Sequence, residues 1–163
     1  MYTRILAPID GSATSAHAFD EALKIARDNR AELQPLFVID LQPVAYDAAA
    51  ACYSDMRESM LDEGRRLTSD AAKRMDREGV SGKPRIAEVE LTGDDIAQRI
   101  CHCAQDFGAD LVVMGTHGRR GWRRLVLGSV AERFLRLSRW PVLLVPGHDA
   151  EEIARRQAAA ESD

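Results

Sequence analysis

The chain has 163 residues and a mass of 18.0 kDa, a size that fits one domain with a substantial buried core. Its formal net charge of -4 at pH 7 argues against general nucleic-acid binding, which usually requires a basic domain. No apolar run approaches the roughly 20 residues that cross a bilayer, and the N-terminus does not resemble a signal peptide. The three cysteines form no disulfide framework, which suits a reducing compartment. We therefore expect a cytoplasmic protein without membrane insertion.

The first part of the chain predicts two strands around a helix. Ile5 to Ile9 is apolar and is followed by a turn at residues 10 to 12, which predicts a buried strand and then a helix capped by Ser12. The inward face of this helix is Ala18, Phe19, Ala22, Leu23 and Ala26. Glu32 to Ile39 is the second strand. Because Pro35 lacks an N–H and normally belongs at an edge or a strand start, this strand could begin after it.

Asp10 stands at the carboxyl end of the first strand, where ligands sit in open α/β sheets. Its carboxylate could accept hydrogen bonds from a ribose or hold a metal. The alternative is turn chemistry, because an Asp before Gly often bonds only to its own following amides.

The middle of the chain predicts two helices and an outer strand. Residues 42 to 54 show no clear period and are either a loop or a short helix over the mouth of a pocket. A long second helix is predicted from Asp55 to Gly79. Arg85 to Leu91 alternates in part, as an outer strand does. A third helix begins at residues 93 to 95, with an inner face of Ile96, Ile100, Cys103, Ala104 and Phe107.

The run Cys101-His102-Cys103 invites a metal interpretation. On a helix, neighbouring side chains point about 100 degrees apart, so they do not converge easily on one ion. The remaining cysteine, Cys52, supplies no second pair. The sequence therefore predicts a structural role for this run and no metal site.

The stretch from Asp110 to Ala131 carries the strongest functional signal. Leu111 to Met114 is an apolar run without alternation, which predicts a strand buried on both faces. Gly115 and Gly118 follow, and glycine permits positive φ and close approach of a ligand to the backbone. The alternative is that these glycines serve turn geometry alone.

A basic loop and a helix follow this strand. Four arginines precede the next carboxylate, Glu132, so an anion would meet an attractive local field (Arg119, Arg120, Arg123 and Arg124). Gly128 and Ser129 then begin a helix, with Ser129 as the predicted N-cap and free N–H groups that favour phosphate. His117 could contact phosphate or act as an acid or base near it, or simply face solvent.

The spacing of these residues is similar to that of the universal stress proteins, in their nucleotide-binding branch. The pattern is Gly115, two residues, Gly118, nine residues, then Gly128 and Ser129. Other runs also resemble the family: ILAPIDGS at 5–12, FVID at 37–40, GADLVVMG at 108–115 and PVLLVP at 141–146. The resemblance covers nearly the whole chain through about Pro146.

The alternation of strands and helices predicts an α/β fold with a parallel sheet. The resemblance implies five strands in the order 3-2-1-4-5 with helices on both faces, a Rossmann-like nucleotide-binding fold. It would occupy residues 1–147, with 148–163 as a charged C-terminal tail. In that order the first and fourth strands are neighbours, which brings Asp10 beside Gly115.

The resemblance also implies ATP as the ligand, with or without Mg²⁺. Adenine would lie near Pro8 and Val38, and ribose near Asp10 and Gly115. The phosphates would lie on the main-chain amides of Gly118, Gly128, Ser129 and Val130. The predicted binding residues are Pro8, Asp10, Val38, Met114, Gly115, His117, Gly118, Arg119, Gly128, Ser129 and Val130.

The predicted function is an ATP-binding, nucleotide-responsive stress or signalling module. One alternative is a slow Mg²⁺-dependent ATPase or autophosphorylating enzyme that uses His117 or Ser129, and another is a dimeric adaptor without nucleotide. No carboxylate or lysine in the loop is an obvious base for phosphoryl transfer, so no catalytic residue is assigned. Val142 to Val145 is an apolar strand at the sheet edge, and the resemblance implies a homodimer that forms through it.

Overall fold

The computed structural model describes residues 1–41, 50–90, 93–116 and 127–147. Strands and helices alternate along these parts of the chain. Their bounds are β1 (Arg4–Pro8), α1 (Ala13–Asn29), β2 (Glu32–Ile39), α2 (Ala50–Glu78), β3 (Arg85–Glu88), α3 (Ile96–Phe107), β4 (Leu111–Gly115), α4 (Ser129–Leu137) and β5 (Val142–Val145).

The strands form one sheet in the order β3-β2-β1-β4-β5, and each neighbouring pair is parallel. The predicted fold class and strand order are therefore confirmed. β1 pairs with β4 through Ile5 to Leu111 and Leu6 to Val112, although about a hundred residues separate them in sequence. This pairing places the carboxyl ends of the two strands next to each other.

Both faces of the sheet are covered, so the central strands are apolar throughout. Successive side chains of β4 point to opposite faces. Leu111 and Val113 pack with residues of α1 and α2, whereas Val112 and Met114 pack with residues of α3 and α4. Each of these four side chains is at most 4% exposed, as the predicted doubly buried strand requires.

Pro35 lies inside β2, between two other strands, and the expectation that the strand might begin after it is wrong. Alternate residues of a parallel strand bond to opposite neighbours, and the Leu36 carbonyl accepts from Ile9 on the β1 side. The nitrogen of Pro35 therefore faces β3. On that side the Leu33 amide donates to the Ser81 carbonyl at 2.8 Å, and the β3 pairing begins at the Leu36 to Arg85 pair, so the missing N–H of Pro35 falls between these two points.

Two predicted boundaries differ from the observed ones. α2 begins at Ala50, so the end of the undecided 42–54 segment is helical, while 42–49 lie outside the described residues. β3 ends at Glu88, although the Val89 amide still donates to the Ile39 carbonyl at 2.8 Å. Leu91, the predicted end of that strand, is outside the described part.

The Cys101-His102-Cys103 run spreads around α3. Cys103 is fully buried in the core against the sheet, whereas the His102 side chain is 54% exposed and lies 3.3 Å from an Asp94 oxygen. Burial raises the pKa of the Cys103 thiol. Among the described residues, no three side chains of metal-binding type come together.

β5 lies at an edge of the sheet, and the Leu143 side chain on it is 38% exposed. Pairing of this edge with a second copy stays a prediction. In the parts of the chain that the structure covers, we find no helix with the length and apolar character of a membrane span.

Candidate functional site

A cavity of about 840 Å³ lies at the carboxyl ends of β1, β2 and β4. Ligands of open α/β folds bind at this position, where the strand order reverses. The cavity is lined by every predicted site residue that the structure describes: Pro8, Asp10, Val38, Met114, Gly115, Gly128, Ser129 and Val130. Three others, His117, Gly118 and Arg119, lie outside the described residues.

The turn after β1 is fixed by short-range hydrogen bonds. The Asp10 carboxylate accepts from the Ser12 amide at 2.9 Å, and the Asp10 amide donates to the Ser15 hydroxyl at 3.0 Å. Ser12 caps α1 as predicted, accepting from the Ser15 amide at 3.1 Å. Gly11 has φ +81, a conformation that L side chains rarely adopt. Asp10 thus has the turn role that the sequence left open, and it also faces the cavity.

Gly115 is required by close packing within the protein, whereas the expected reasons were positive φ or the approach of a ligand. It does not have positive φ. A Cβ atom at this position would lie 2.8 Å from the Cγ2 atom of Thr14 and 3.2 Å from the Thr14 backbone. The glycine therefore lets the end of β4 approach the first turn of α1, and both segments border the cavity.

The peptide groups of Thr116 join three elements of the site. The Thr116 carbonyl accepts from the Gly128 amide at 2.7 Å, and the Thr116 amide donates to the Val145 carbonyl at 3.0 Å. The Gly128 amide is therefore engaged within the protein, contrary to the expectation that it faces phosphate. The start of α4 is instead held against the end of β4.

α4 begins without a side-chain cap. Its N-cap is Gly128 rather than the predicted Ser129, and no side-chain cap bond is formed there by the residues that the structure describes. The first backbone bond of the helix runs from Glu132 to the Gly128 carbonyl at 2.9 Å. The amides of Ser129, Val130 and Ala131 precede that bond, and these residues line the cavity.

α3 also begins at the cavity, but its first turn is fully capped. Asp95 accepts from the Gln98 amide at 2.8 Å, and the Gln98 side chain accepts from the Asp95 amide at 3.0 Å, which forms a capping box. The second Asp95 oxygen accepts from Arg133 Nε of α4 at 2.9 Å. Partial burial raises the pKa of Asp95, but the Gln98 amide and the Arg133 guanidinium more than offset this, and the pKa is lowered.

The rest of the lining divides into an apolar and a charged part. Apolar side chains come from β2, β4, α2 and α3 (Leu36, Val38, Met60, Ile96, Ile100 and Met114). Among the described lining residues, the charged groups are the carboxylates of Asp10, Asp40 and Asp95 and the guanidinium of Arg133.

Sequence reasoning missed Asp95 and Arg133 as site residues. The sequence predicted a helix start at residues 93 to 95, and the spacing of Asp95 and Gln98 is a capping-box signal that could have identified Asp95 as its cap. Arg133 follows Ser129 by four residues and therefore shares its helix face. Neither signal indicates that the two side chains meet, because their contact depends on how α3 packs against α4.

Known proteins resemble this chain over most of its length. The model of the universal stress protein family matches residues 1–146. A universal stress protein of Methanocaldococcus jannaschii is 33% identical over 145 residues, which are 89% of this chain and 82% of the relative. A crystal structure of a family member from Burkholderia pseudomallei is 43% identical, with a TM-score of 0.73 over 89% of this chain and 96% of that one.

Two more distant solved structures share the fold and are described with nucleotides. A universal stress protein in complex with cAMP is 24% identical, with a TM-score of 0.66 over 90% of this chain and 98% of that one. A family protein of Arabidopsis thaliana with AMP bound is 19% identical, with a TM-score of 0.63 over 91% and 94%. The family match, the sequence relatives and the shared sheet together establish that this chain belongs to the universal stress protein family.

Proposed function

We propose that this protein is a nucleotide-responsive stress or signalling module that binds an adenine nucleotide, ATP, in the cavity at the ends of β1, β2 and β4. One observation carries the proposal. Of the three helices whose first turns border this cavity, α1 and α3 are capped by the side chains of Ser12 and Asp95, whereas α4 has no side-chain cap among the described residues. The AMP and cAMP complexes of more distant members of the fold support a nucleotide as the ligand.

The apolar part of the cavity suits the nucleoside. A volume of about 840 Å³ lies within the range of roughly 300–1,000 Å³ that small-molecule sites occupy. Val38 and Ile96 offer flat contact for a purine ring. Asp10 lines the cavity, and its carboxylate could accept a hydrogen bond from a ribose hydroxyl.

The phosphates would bind at the start of α4. The amides of Ser129, Val130 and Ala131 point out of the first turn, and the helix dipole places about half a positive charge there. This is a common arrangement for phosphate. Mg²⁺ would arrive with ATP, because it usually needs only one or two protein carboxylates besides the phosphates. Asp10 and Asp40 on the cavity wall are candidates.

Ser129→Pro tests the role of the α4 amides. Proline at the first position of a helix removes an N–H that makes no helical bond, and its φ suits that position. The residue before a proline must be extended, and Gly128 already is, at φ -64 and ψ 151. Loss of one hydrogen bond to a charged group should weaken ATP and AMP binding about tenfold.

The matched control is Ser129→Ala, which removes the hydroxyl and keeps the amide. Calorimetric titration of both variants with ATP, AMP and adenosine measures the effect. We expect adenosine affinity to be equal in wild type and Ser129→Pro, because adenosine has no phosphate. Wild-type protein that binds no adenine nucleotide at millimolar concentration would refute the proposed function. If Ser129→Pro lowers adenosine affinity as much as ATP affinity, the phosphates do not bind at the start of α4.

A further inference from the structure

We propose that Arg133 is a ligand-contacting residue that selects phosphate-bearing ligands over the bare nucleoside, with Asp95 holding its guanidinium in place. This inference rests on the proposed function and names a recognition element of the same cavity. It concerns a residue outside the glycine pattern from which the site was predicted.

Arg133 is placed to reach an anion at the start of α4. It follows Ser129 by four residues and therefore lies one turn along the same helix face. Both residues line the cavity. The Arg133 side chain is 51% exposed, so a ligand can approach its guanidinium without displacing protein.

The guanidinium is anchored at one end only. Arg133 Nε donates to Asp95 at 2.9 Å, and Asp95 is itself fixed by the Gln98 amide. Within the described residues, the two Nη atoms have no hydrogen bond or ion pair, which leaves four N–H donors. A guanidinium that is already oriented loses less conformational freedom when it binds a ligand.

The chemistry of these donors favours phosphate. Paired N–H groups of arginine match the spacing of phosphate oxygens and form short, charge-assisted hydrogen bonds. The Asp95 carboxylate brings the net charge of the Arg133–Asp95 pair close to zero, so the contact of Arg133 with phosphate depends on geometry as well as on charge. A guanidinium can instead stack on a purine ring, and that arrangement would act on adenosine as strongly as on AMP.

The test compares Arg133→Gln with Arg136→Gln, using AMP and adenosine as probes in calorimetric titrations. Arg136 is three residues along the same helix and pairs with Glu132 at 2.7 Å, away from the residues that line the cavity. We expect Arg133→Gln to lower AMP affinity about three- to tenfold, the effect of a partly exposed charge-assisted contact. Adenosine affinity should not change, and Arg136→Gln should bind both ligands like wild type.

Arg133→Lys provides a second readout. Lysine keeps the positive charge but lacks the planar fork, so AMP affinity should fall between those of wild type and Arg133→Gln. The slope of AMP affinity against salt concentration should be shallower in Arg133→Gln than in Arg136→Gln, because both lose one surface charge but only one of these charges contacts phosphate. Thermal unfolding of each variant verifies that the fold is retained.

The outcomes separate this inference from the proposed function. Wild-type protein that binds neither AMP nor adenosine refutes both. Wild-type binding with unchanged AMP affinity in Arg133→Gln refutes the role of Arg133 and leaves the cavity as a nucleotide site. Equal losses for AMP and adenosine would assign the guanidinium to the base and also overturn the inference.

Discussion

The helices α3 and α4 begin at the same cavity, yet their first turns satisfy their backbone amides differently. α3 has an aspartate N-cap, a reciprocal glutamine bond and an arginine on the second carboxylate oxygen. α4 has a glycine N-cap and no side-chain cap. A capping aspartate adds stability but occupies the amides and brings negative charge. One helix start therefore contributes to folding, while the other keeps its amides available to an anion.

The first turn of α1, like that of α3, has a side-chain cap. Ser12 accepts from the Ser15 amide at 3.1 Å, and Asp10 bonds to the Ser12 amide. Gly128 therefore departs from a pattern that α1 and α3 follow. The departure occurs where β4, the arginine-rich stretch and α4 succeed each other in sequence.

The largest expected effect comes from removing the cap of α3. Asp95→Ala should lower the free energy of unfolding by about 1–2 kcal/mol, because it removes the helix cap together with the bond to Arg133. The matched variant at the other helix start, Ser129→Ala, should change it by less than about 0.5 kcal/mol. Urea denaturation of both variants measures the difference. If the two variants lower the free energy of unfolding equally, Ser129 caps α4.

An intermediate effect is expected from giving α4 the cap that it lacks. The backbone of Gly128 is extended, so Gly128→Asp should be tolerated and should raise the free energy of unfolding by a few tenths of a kcal/mol. The new carboxylate would occupy the amides and repel phosphate, so ATP affinity should fall about fivefold, roughly 1 kcal/mol.

Gly128→Ala controls for the loss of glycine itself, because alanine adds a Cβ atom without a capping group. Denaturation and calorimetric titration of the two variants show whether the increase in the free energy of unfolding is accompanied by a decrease in ATP affinity. If Gly128→Asp binds ATP as tightly as Gly128→Ala, the α4 amides do not contact the ligand.

The smallest effect is a difference in acid sensitivity. The pKa of Asp95 in the folded protein is below its ordinary value, so the folded state binds fewer protons than the unfolded state as the pH falls. The stability from this carboxylate is fully present above its unfolded pKa of about 3.9 and is lost as pH falls through the folded pKa. α4 has no carboxylate cap that would behave in this way.

The measurement is the free energy of unfolding between pH 2 and 6 for wild type and Asp95→Asn, where asparagine keeps a capping oxygen. The wild-type value should decline more steeply below about pH 4. The pKa of Asp110 is also lowered, since bonds from Thr3 and Arg4 outweigh its burial, but that contribution is common to both proteins. Identical slopes would show that the Asp95 charge adds nothing to the cap.

Much of the fold was predictable because its signals are local. The apolar run of β4 and the Ser12 cap each depend on residues within a few positions of one another, and both predictions are confirmed. Pro35 was misjudged because its effect depends on where β3 begins, about fifty residues later. Strand order came from the family resemblance rather than from any local pattern.

The site was less predictable, because its decisive contacts join distant segments. Gly115 was recognised as special, but its partner, Thr14, lies about a hundred residues earlier and is not signalled by any motif. The contact between Asp95 and Arg133 likewise exists only after α3 and α4 have packed. The family resemblance named eight of the residues that line the cavity, and only the structure shows which of their polar groups are already engaged.

The residue after β4, Thr116, links the helix start to the border of the sheet. Through its carbonyl it holds Gly128, and through its amide it holds the last residue of β5. One residue therefore joins the α4 terminus and the outermost strand by backbone hydrogen bonds. The hydrogen-exchange rate of the Thr116 amide reports the bond to Val145, and that of the Gly128 amide reports the bond to Thr116, so the two ends of this linkage can be followed separately.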